Sequence, residues 1–229
     1  MARPLLTNIP MLPRVILHNA ISLDGRIDGF TPDVGLFYEL ASVWKEDATL
    51  AGSETILSSP GANTADDNRK LNPPETRGHD PRPLLVIPDS RGRIRCWEHL
   101  LKQPYWRGGI ALMATSTSPS HCEYLGRKNV ECLIAGKDRV DLKSALETLY
   151  ELHNVKTVRV DSGGTLGGVL LREGLVDEIS LLVSPVLAGS GGRALFRTIE
   201  TELTVKLTRS ETLKGDVVWI RYEVEKKGQ

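Results

Sequence analysis

The chain is poor in cysteine and aromatic residues and has no excess of either charge, and each shortage closes a class of function. Its three cysteines, Cys96, Cys122 and Cys132, form no C-x-x-C pair. An odd count, behind an N-terminus with no apolar signal run, predicts reduced thiols in a cytoplasmic protein rather than a disulfide scaffold. The 29 basic and 29 acidic side chains cancel, which leaves no general electrostatic grip on nucleic acid. No apolar run approaches the ~18–20 residues of a bilayer-spanning helix, so no membrane partner is expected. His18, His79, His99, His121 and His153 sit in no H-x-E or H-E-x-x-H context, and no metal site is predicted. There is no G-x-S-x-G, G-x-x-x-x-G-K-[ST] or G-x-G-x-x-G. That excludes the hydrolase nucleophile elbow, the P-loop and the dinucleotide fingerprint in their usual spellings.

What remains is an alternation of strands and helices. Runs rich in β-branched residues, bounded by turn residues, predict strands over 14–21, 48–51, 84–87, 110–114, 130–134, 157–160 and 178–186. Leu36, Leu40, Val43 and Trp44 recur at helical spacing behind a capping Asp33. Residues 141–152 put Leu142, Ala145, Leu146 and Leu149 on one face behind Asp141, and 165–173 is a third helix ending at Gly174. Two alternating segments, 203–208 and 217–224, flank Lys214-Gly215-Asp216 and predict a hairpin. The stretch 58–83, with Pro60, Pro73, Pro74, Pro81 and Pro83, is almost devoid of apolar residues and reads as a long loop. Residues 14–51 alone bury too little to fold, so 1–229 is read as a single domain with that loop inside it. The fold class is α/β: a mixed, mostly parallel sheet flanked by helices, closed by an antiparallel hairpin at the C-terminal end.

Four glycine- or arginine-bearing turns follow strands. In Val160-Asp161-Ser162-Gly163-Gly164-Thr165-Leu166-Gly167-Gly168 a strand ends, glycines follow and a helix begins. Such a turn either merely joins strand to helix or cradles a phosphate on the helix N-terminus. Gly52-Ser53-Glu54-Thr55 offers a second phosphate site or a helix capped by Ser53. Asp89-Ser90-Arg91-Gly92-Arg93 is a solvated turn or a grip on a phosphomonoester such as the 2′-phosphate of NADP. Gly189-Ser190-Gly191-Gly192-Arg193 is a loop or a flexible cover over a ligand.

Taken in order, Ser22-Leu23-Asp24-Gly25-Arg26, Gly52-x-x-Thr55, Asp89-Ser90, Val160–Leu166, Gly174-Leu175-Val176-Asp177-Glu178 and Pro185-Val186-Leu187-Ala188-Gly189 resemble the reductase domain of riboflavin biosynthesis. That domain has the dihydrofolate reductase-like fold. The resemblance spans nearly the whole chain and is to the stand-alone reductase, because the zinc deaminase signature of the bifunctional members is missing. It implies NADPH, a homodimer, and a ribosylaminopyrimidine 5′-phosphate whose ribosyl group is reduced to ribityl. By position it puts Ala20 beside the nicotinamide. Gly52, Thr55, Ser90 and Arg91 fall against the cofactor, with Gly163, Gly164, Thr165, Leu166 and Gly167 around its phosphates. Asp161 stands where the family often has a substrate-touching glutamate. The family's A-D-D-P-x-L segment survives as Ala65-Asp66-Asp67-Asn68-Arg69-Lys70-Leu71, which places Leu71 on the substrate side. Its Ser-x-Trp segment is replaced by Val34-Gly35-Leu36-Phe37. No catalytic residue is identified; Asp24, Asp161 or a water are the candidates for the proton donor, with a turn residue the plainer role for Asp24. Two alternatives stand beside this reading. One is a pterin or dihydrofolate reductase, with Glu39 of the first helix against the ring. The other is a catalytically silent NADPH-binding homologue.

Overall fold

A computed structural model describes residues 11–62, 69–71, 80–196, 199 and 202–226. The strands are β1 Arg14–Ser22, β2 Ala48–Leu50, β3 Leu84–Pro88, β4 Gly108–Met113, β5 Glu131–Ile134, β6 Thr157–Val160, β7 Glu178–Ser184, β8 Val205–Thr212 and β9 Val218–Val224. The helices are α1 Val34–Ala41, α2 Ser53–Leu57, α3 Trp97–Leu101, α4 Pro119–Arg127, α5 Leu142–His153 and α6 Thr165–Arg172. The strands form one sheet in the order β5-β4-β3-β2-β6-β1-β7-β9-β8. β1 to β7 pair in parallel, and β9 and β8 close the sheet as an antiparallel pair. A parallel sheet needs cover on both faces, and the period of two decides which residue meets which cover. Val15, Leu17, Leu50, Val158 and Val160 pack with Leu142, Leu146 and Leu149 of α5 and Leu170 of α6. On the other face, Leu85, Ile87, Ala111 and Met113 meet Ile56 of α2, Trp97 of α3 and Leu125 of α4. Ile16, Leu182 and Trp219 meet Ala41 at the end of α1 and Trp44 beyond it.

The anticipated caps form. Asp33 accepts from the Leu36 N–H at 2.9 Å and Asp141 from the Ser144 N–H at 3.0 Å. Gly174 adopts φ +65°, the left-handed conformation that ends α6. Asp177 fastens the start of β7 to β1, its carboxylate accepting from the Val15 N–H at 2.8 Å.

The differences have physical reasons. α3 is five residues long, too short to show a period, and α4 begins with Pro119 and is largely polar; neither is foreseen. β4 begins two residues early, at Gly108-Gly109; the glycine at 109 serves packing rather than a turn, since a Cβ there would sit 2.8 Å from the ring of fully buried Trp97. β7 stops at Ser184, before Pro185. β8 is displaced to Val205–Thr212, with a bulge between Leu207 and Arg209. It is the sheet's outer strand and is exposed on both faces, so burial imposes no clear alternation on it. Within the expected loop, 63–68 and 72–79 lie outside the described residues; that includes Ala65, Asp66, Asp67 and Asn68.

Candidate functional site

β2 and β6 are hydrogen-bonded neighbours, yet the helices that follow them leave to opposite faces. α2 joins α3 and α4, and α6 joins α5. In an open α/β sheet, that divergence opens a crevice at the carboxyl ends of the strands. A cavity of about 580 Å³ lies there, within the usual range for a cofactor or drug-sized ligand.

Ser162 ties its floor together. Its side chain is buried, and its Oγ accepts from the Gly52 N–H at 2.7 Å and lies 2.9 Å from Thr55 Oγ1. One hydroxyl therefore couples the N-termini of α2 and α6. Gly52, not Ser53, is the N-cap of α2, and no side chain caps it; the Ser53 hydroxyl instead receives Arg93 Nη2 at 3.2 Å. Gly164 caps α6 at φ +63°, ψ −111°, a conformation effectively reserved for glycine. Its N–H donates to Leu195 O at 2.7 Å. The first-turn amides of both helices have no partners within their own helices and give the cavity an anion-favouring end.

The opposite wall is the 89–93 turn. Buried Asp89 accepts from the Ile94 N–H at 2.8 Å and faces His121 Nε2 at 3.5 Å. Burial pushes this carboxyl up, but the His121 contact and the Ile94 and Arg93 amides outweigh it and hold Asp89 below the usual range. Ser90 accepts from the Val140 N–H at 3.0 Å, which leaves its own O–H to donate. Arg91 and Arg139 line the cavity and make no ion pair among the described residues, whereas Arg93 is engaged by Glu54 and Arg193 by Asp28. Two unpaired guanidinium groups at one wall suit a phosphomonoester.

Of the residues assigned to the cofactor from the sequence, Gly52, Thr55, Ser90, Arg91, Gly163, Gly164, Thr165 and Leu166 line this one cavity. Gly167 does not; it is buried, and a Cβ there would lie 3.3 Å from Ser162 O and 3.6 Å from Leu17, so it serves helix-to-sheet packing. Ala20 is half-buried on the α1 face and outside the cavity lining. Leu71 is not brought to the cavity. Its N–H donates to Arg127 O at 2.9 Å and its carbonyl accepts from Asn129 Nδ2 at 2.6 Å. Those contacts hold it between the C-terminal end of α4 and the start of β5, whereas the cavity lies at the carboxyl ends of the strands.

Asp24 is exposed, and its carboxylate is taken up in turn contacts. It accepts from Ser22 Oγ at 2.6 Å and from the Ala188 and Gly189 amides, each at 2.9 Å. Those bonds, led by the Ser22 hydroxyl, hold its carboxyl down to about 2. The same lacing fixes the 189–193 loop. Ile27 N–H donates to Arg193 O, Leu195 N–H to Gly25 O, and a Cβ on Gly192 would stand 2.7 Å from Asp28 O. The loop is thus packed against the 22–28 turn in this structure, with Arg193 facing the cavity.

Asp161 does not cap α6. Its carboxylate pairs with Arg159 Nη1, and burial, aided by Glu46 and opposed by Arg159, pushes it up to about 6. Nearby, Trp219 Nε1 donates to Ser180 Oγ at 2.8 Å, and Ser180 Oγ lies 3.0 Å from His18 Nδ1. His18 Nε2 lies 3.0 Å from Phe37 O. The Phe37 carbonyl can only accept, so Nε2 carries the ring proton and Nδ1 accepts from the Ser180 hydroxyl, which itself accepts from the indole. Burial brings His18 down to about 4; it is a neutral structural link. Glu39 is exposed on α1, which leaves the pterin-type reading without its carboxylate. Arg139 is contributed by the fold and was not singled out from the sequence; Ser162 and Arg193 lie in turns the sequence flagged but were given no role of their own there. Among the described residues no group of three or more His, Cys, Asp or Glu side chains could hold a metal ion, and no helix is long and apolar enough to cross a membrane.

A parallel sheet with a phosphate-favouring crevice between β2 and β6, edged by an antiparallel hairpin, defines an α/β nucleotide-cofactor fold. The chain belongs to the RibD C-terminal domain family, whose model matches residues 13–219. It is 28% identical over 214 residues to the 2,5-diamino-6-ribosylamino-4(3H)-pyrimidinone 5′-phosphate reductase of Archaeoglobus fulgidus, covering 89% of this chain and 94% of that protein. It is 29% identical over 231 residues to the reductase of the same name from Methanothermobacter thermautotrophicus, covering 94% of this chain and all of that protein. Among solved structures, Acinetobacter baumannii RibD superposes with a TM-score of 0.66 at 23% identity. That match covers 93% of this chain, which spans 58% of the length of the RibD chain. The Saccharomyces cerevisiae riboflavin biosynthesis reductase Rib7 superposes at 0.64 and 22% identity, covering 93% of this chain and 90% of the other. The fold is thus the dihydrofolate reductase-like fold of the RibD reductases.

Proposed function

We propose that the protein is an NADPH-dependent oxidoreductase of the riboflavin pathway. It reduces the ribosyl group of a ribosylaminopyrimidine 5′-phosphate, as its open-chain imine, to ribityl. The names of the archaeal relatives support the reaction. The observation that carries the cofactor is the cavity between α2 and α6, with two helix N-termini at one side and at the other Arg91 and Arg139, which make no ion pair among the described residues. This arrangement fits a dinucleotide with an extra phosphate: the backbone amides take the pyrophosphate and the arginines the 2′-phosphate. The nicotinamide, when bound, supplies the hydride. The chain's own part is to place it, to keep His18 neutral, and to hold Asp161 at the carboxyl end of β6 beside the crevice. The sheet running from Arg14 to Val224 supports reading the chain as one reductase domain. A cytoplasmic homodimer completes the reading, with the exposed outer strand β8 a candidate surface for the second copy.

NADPH oxidation, followed at 340 nm with the ribosylaminopyrimidine phosphate and separately with dihydrofolate, tests the reaction. Turnover with the pyrimidine alone is the expected result. No turnover with it would refute the substrate, and equal affinities for NADPH and NADH would refute the cofactor assignment.

A further inference from the structure

β6 alternates, so Arg159 and Asp161 lie together on the face opposite Val158 and Val160. The Arg159 side chain is only 3% exposed, and all three of its nitrogens are engaged. Nε donates to Glu46 Oε1 at 2.7 Å, Nη1 to Asp161 Oδ1 and Nη2 to Thr49 Oγ1 at 3.3 Å. Two carboxylates share one cation, so with both ionised the cluster carries a net negative charge. A buried ion pair is a poor way to stabilise a sheet face that apolar side chains could fill. Its place is also telling. Asp161 immediately precedes Ser162 and Gly163 of the cavity wall and keeps 16% of its side chain exposed. Its second carboxylate oxygen has no protein partner among the described residues.

The groups around the cluster come from every neighbouring element. Tyr38 of α1 places its ring 5.9 Å from the Arg159 guanidinium. His18 of β1 is neutral, and Arg221 of β9 acts on His18. Tyr105, beyond α3, acts on Tyr38. Burial and Glu46 push the Asp161 carboxyl up, and Arg159 draws it down.

We propose that Arg159 and Glu46 are positioning residues for Asp161: the guanidinium fixes one carboxylate oxygen so that the other meets a hydroxyl of the substrate's sugar chain, and Glu46 fixes the guanidinium. This deepens the function proposed above and rests on it. An ionised carboxylate accepts from a sugar hydroxyl, whereas a protonated one loses part of that capacity. Substrate binding therefore strengthens as pH rises through the titration of Asp161, and cofactor binding, on the far side of Ser162, does not follow it. The two partners act on that titration in opposite directions. Removing Arg159 raises the midpoint, and removing Glu46 lowers it. A purely structural role for the cluster gives no reason for KM to follow these shifts.

The experiment compares the wild type with Arg159→Gln, Arg159→Lys and Glu46→Gln. Carboxyl-carbon NMR of the ligand-free proteins gives the Asp161 midpoint, and kcat and KM for the ribosylaminopyrimidine phosphate are measured from pH 5 to 8. Arg159→Gln is expected to raise the midpoint by ~1 unit or more and to raise KM about ten-fold at neutral pH, with NADPH affinity retained. Arg159→Lys, which keeps a cation if Gln does not fold, leaves the midpoint nearer the wild-type value and still raises KM, because one point charge cannot grip three partners. Glu46→Gln lowers the midpoint. Unmoved midpoints overturn the clamp, and moved midpoints with wild-type KM throughout overturn its role toward substrate. If the wild type turns over no ribosylaminopyrimidine, the function proposed above falls and takes the substrate half with it, while the NMR midpoints still decide the clamp.

Discussion

Replacing Ser162 by alanine should do more damage than the loss of one small hydroxyl suggests. The side chain is 2% exposed, and its Oγ is the acceptor for the Gly52 N–H at 2.7 Å and the partner of Thr55 Oγ1 at 2.9 Å. The variant leaves a backbone donor without its acceptor, at roughly 1–3 kcal/mol, and forfeits a hydroxyl pair worth about 1 kcal/mol. A total of ~2–4 kcal/mol corresponds to a fall of roughly 4–16 °C in Tm for a chain of this size. Because Gly52 is the uncapped N-cap of α2, the first turn of that helix loses its tether to β6. NADPH affinity should fall with it, by about ten-fold for each ~1.4 kcal/mol of lost placement. Thr55→Val is the control, since it removes the hydroxyl pair but leaves the Gly52 N–H satisfied, and should cost about 1 kcal/mol. Denaturant unfolding of both single variants and the double variant gives their coupling, and calorimetric titration gives the cofactor affinity. The reasoning is refuted if Ser162→Ala loses less than ~0.5 kcal/mol and binds NADPH as the wild type does.

Gly164→Ala should lose ~1–3 kcal/mol by thermal unfolding, although a Cβ there meets nothing within 4 Å, because φ +63° itself opposes a side chain; unchanged stability would contradict the backbone argument. Arg91→Gln and Arg139→Gln should each weaken NADPH by ~ten-fold at low salt and leave NADH nearly untouched, and equal losses for both cofactors would remove these side chains from the 2′-phosphate. His18 and Asp161 should pull acid stability in opposite directions. His18 is brought down from 6.5 to about 4, so its contribution is full above 6.5 and is lost as pH falls through 4. Asp161 is raised from 3.8 to about 6, so its contribution is full below 3.8 and is lost as pH rises through 6. Each spans roughly 3 kcal/mol at ~1.4 kcal/mol per unit. His18→Gln should flatten the loss of stability between pH 7 and 4 and Asp161→Asn should steepen it, as read by urea midpoints; parallel curves for all three proteins would refute both assignments.

The central strands were legible because a doubly covered parallel strand is largely apolar, as Val15-Ile16-Leu17 of β1 and Leu85-Val86-Ile87 of β3 are, and the caps Asp33 and Asp141 announce their helices by residue type alone. α3 and α4 were not legible, since five residues show no period and a helix opening on Pro119-Ser120-His121 shows little apolar face. β8 was misplaced because exposure on both faces removes the burial that gives alternation its meaning.

The same physics divides the site. The cofactor half is built from backbone: glycines where a helix begins, at Gly52 and at Gly163-Gly164, and a turn closed by Asp89. Such features are local, so they can be read from a few consecutive residues. The neighbouring cluster is built from side chains that meet only through the sheet. Arg159 touches Glu46 and Thr49, more than a hundred positions earlier in the chain, and nothing in Val160-Asp161-Ser162 signals that the carboxylate is held by the residue two before it. Leu71 shows the converse case: a motif matched along the chain grouped it with the substrate residues, and its hydrogen bonds to Arg127 and Asn129 place it just before the start of β5, outside the cavity lining. Hydride transfer needs the reacting carbon within about 3.5 Å of the nicotinamide, so the groups that select the substrate must gather at the β2–β6 crevice. Asp161, paired with Arg159, directly precedes Ser162 of that crevice, which is the ground for the proposed clamp, whereas Leu71 lies before the start of β5.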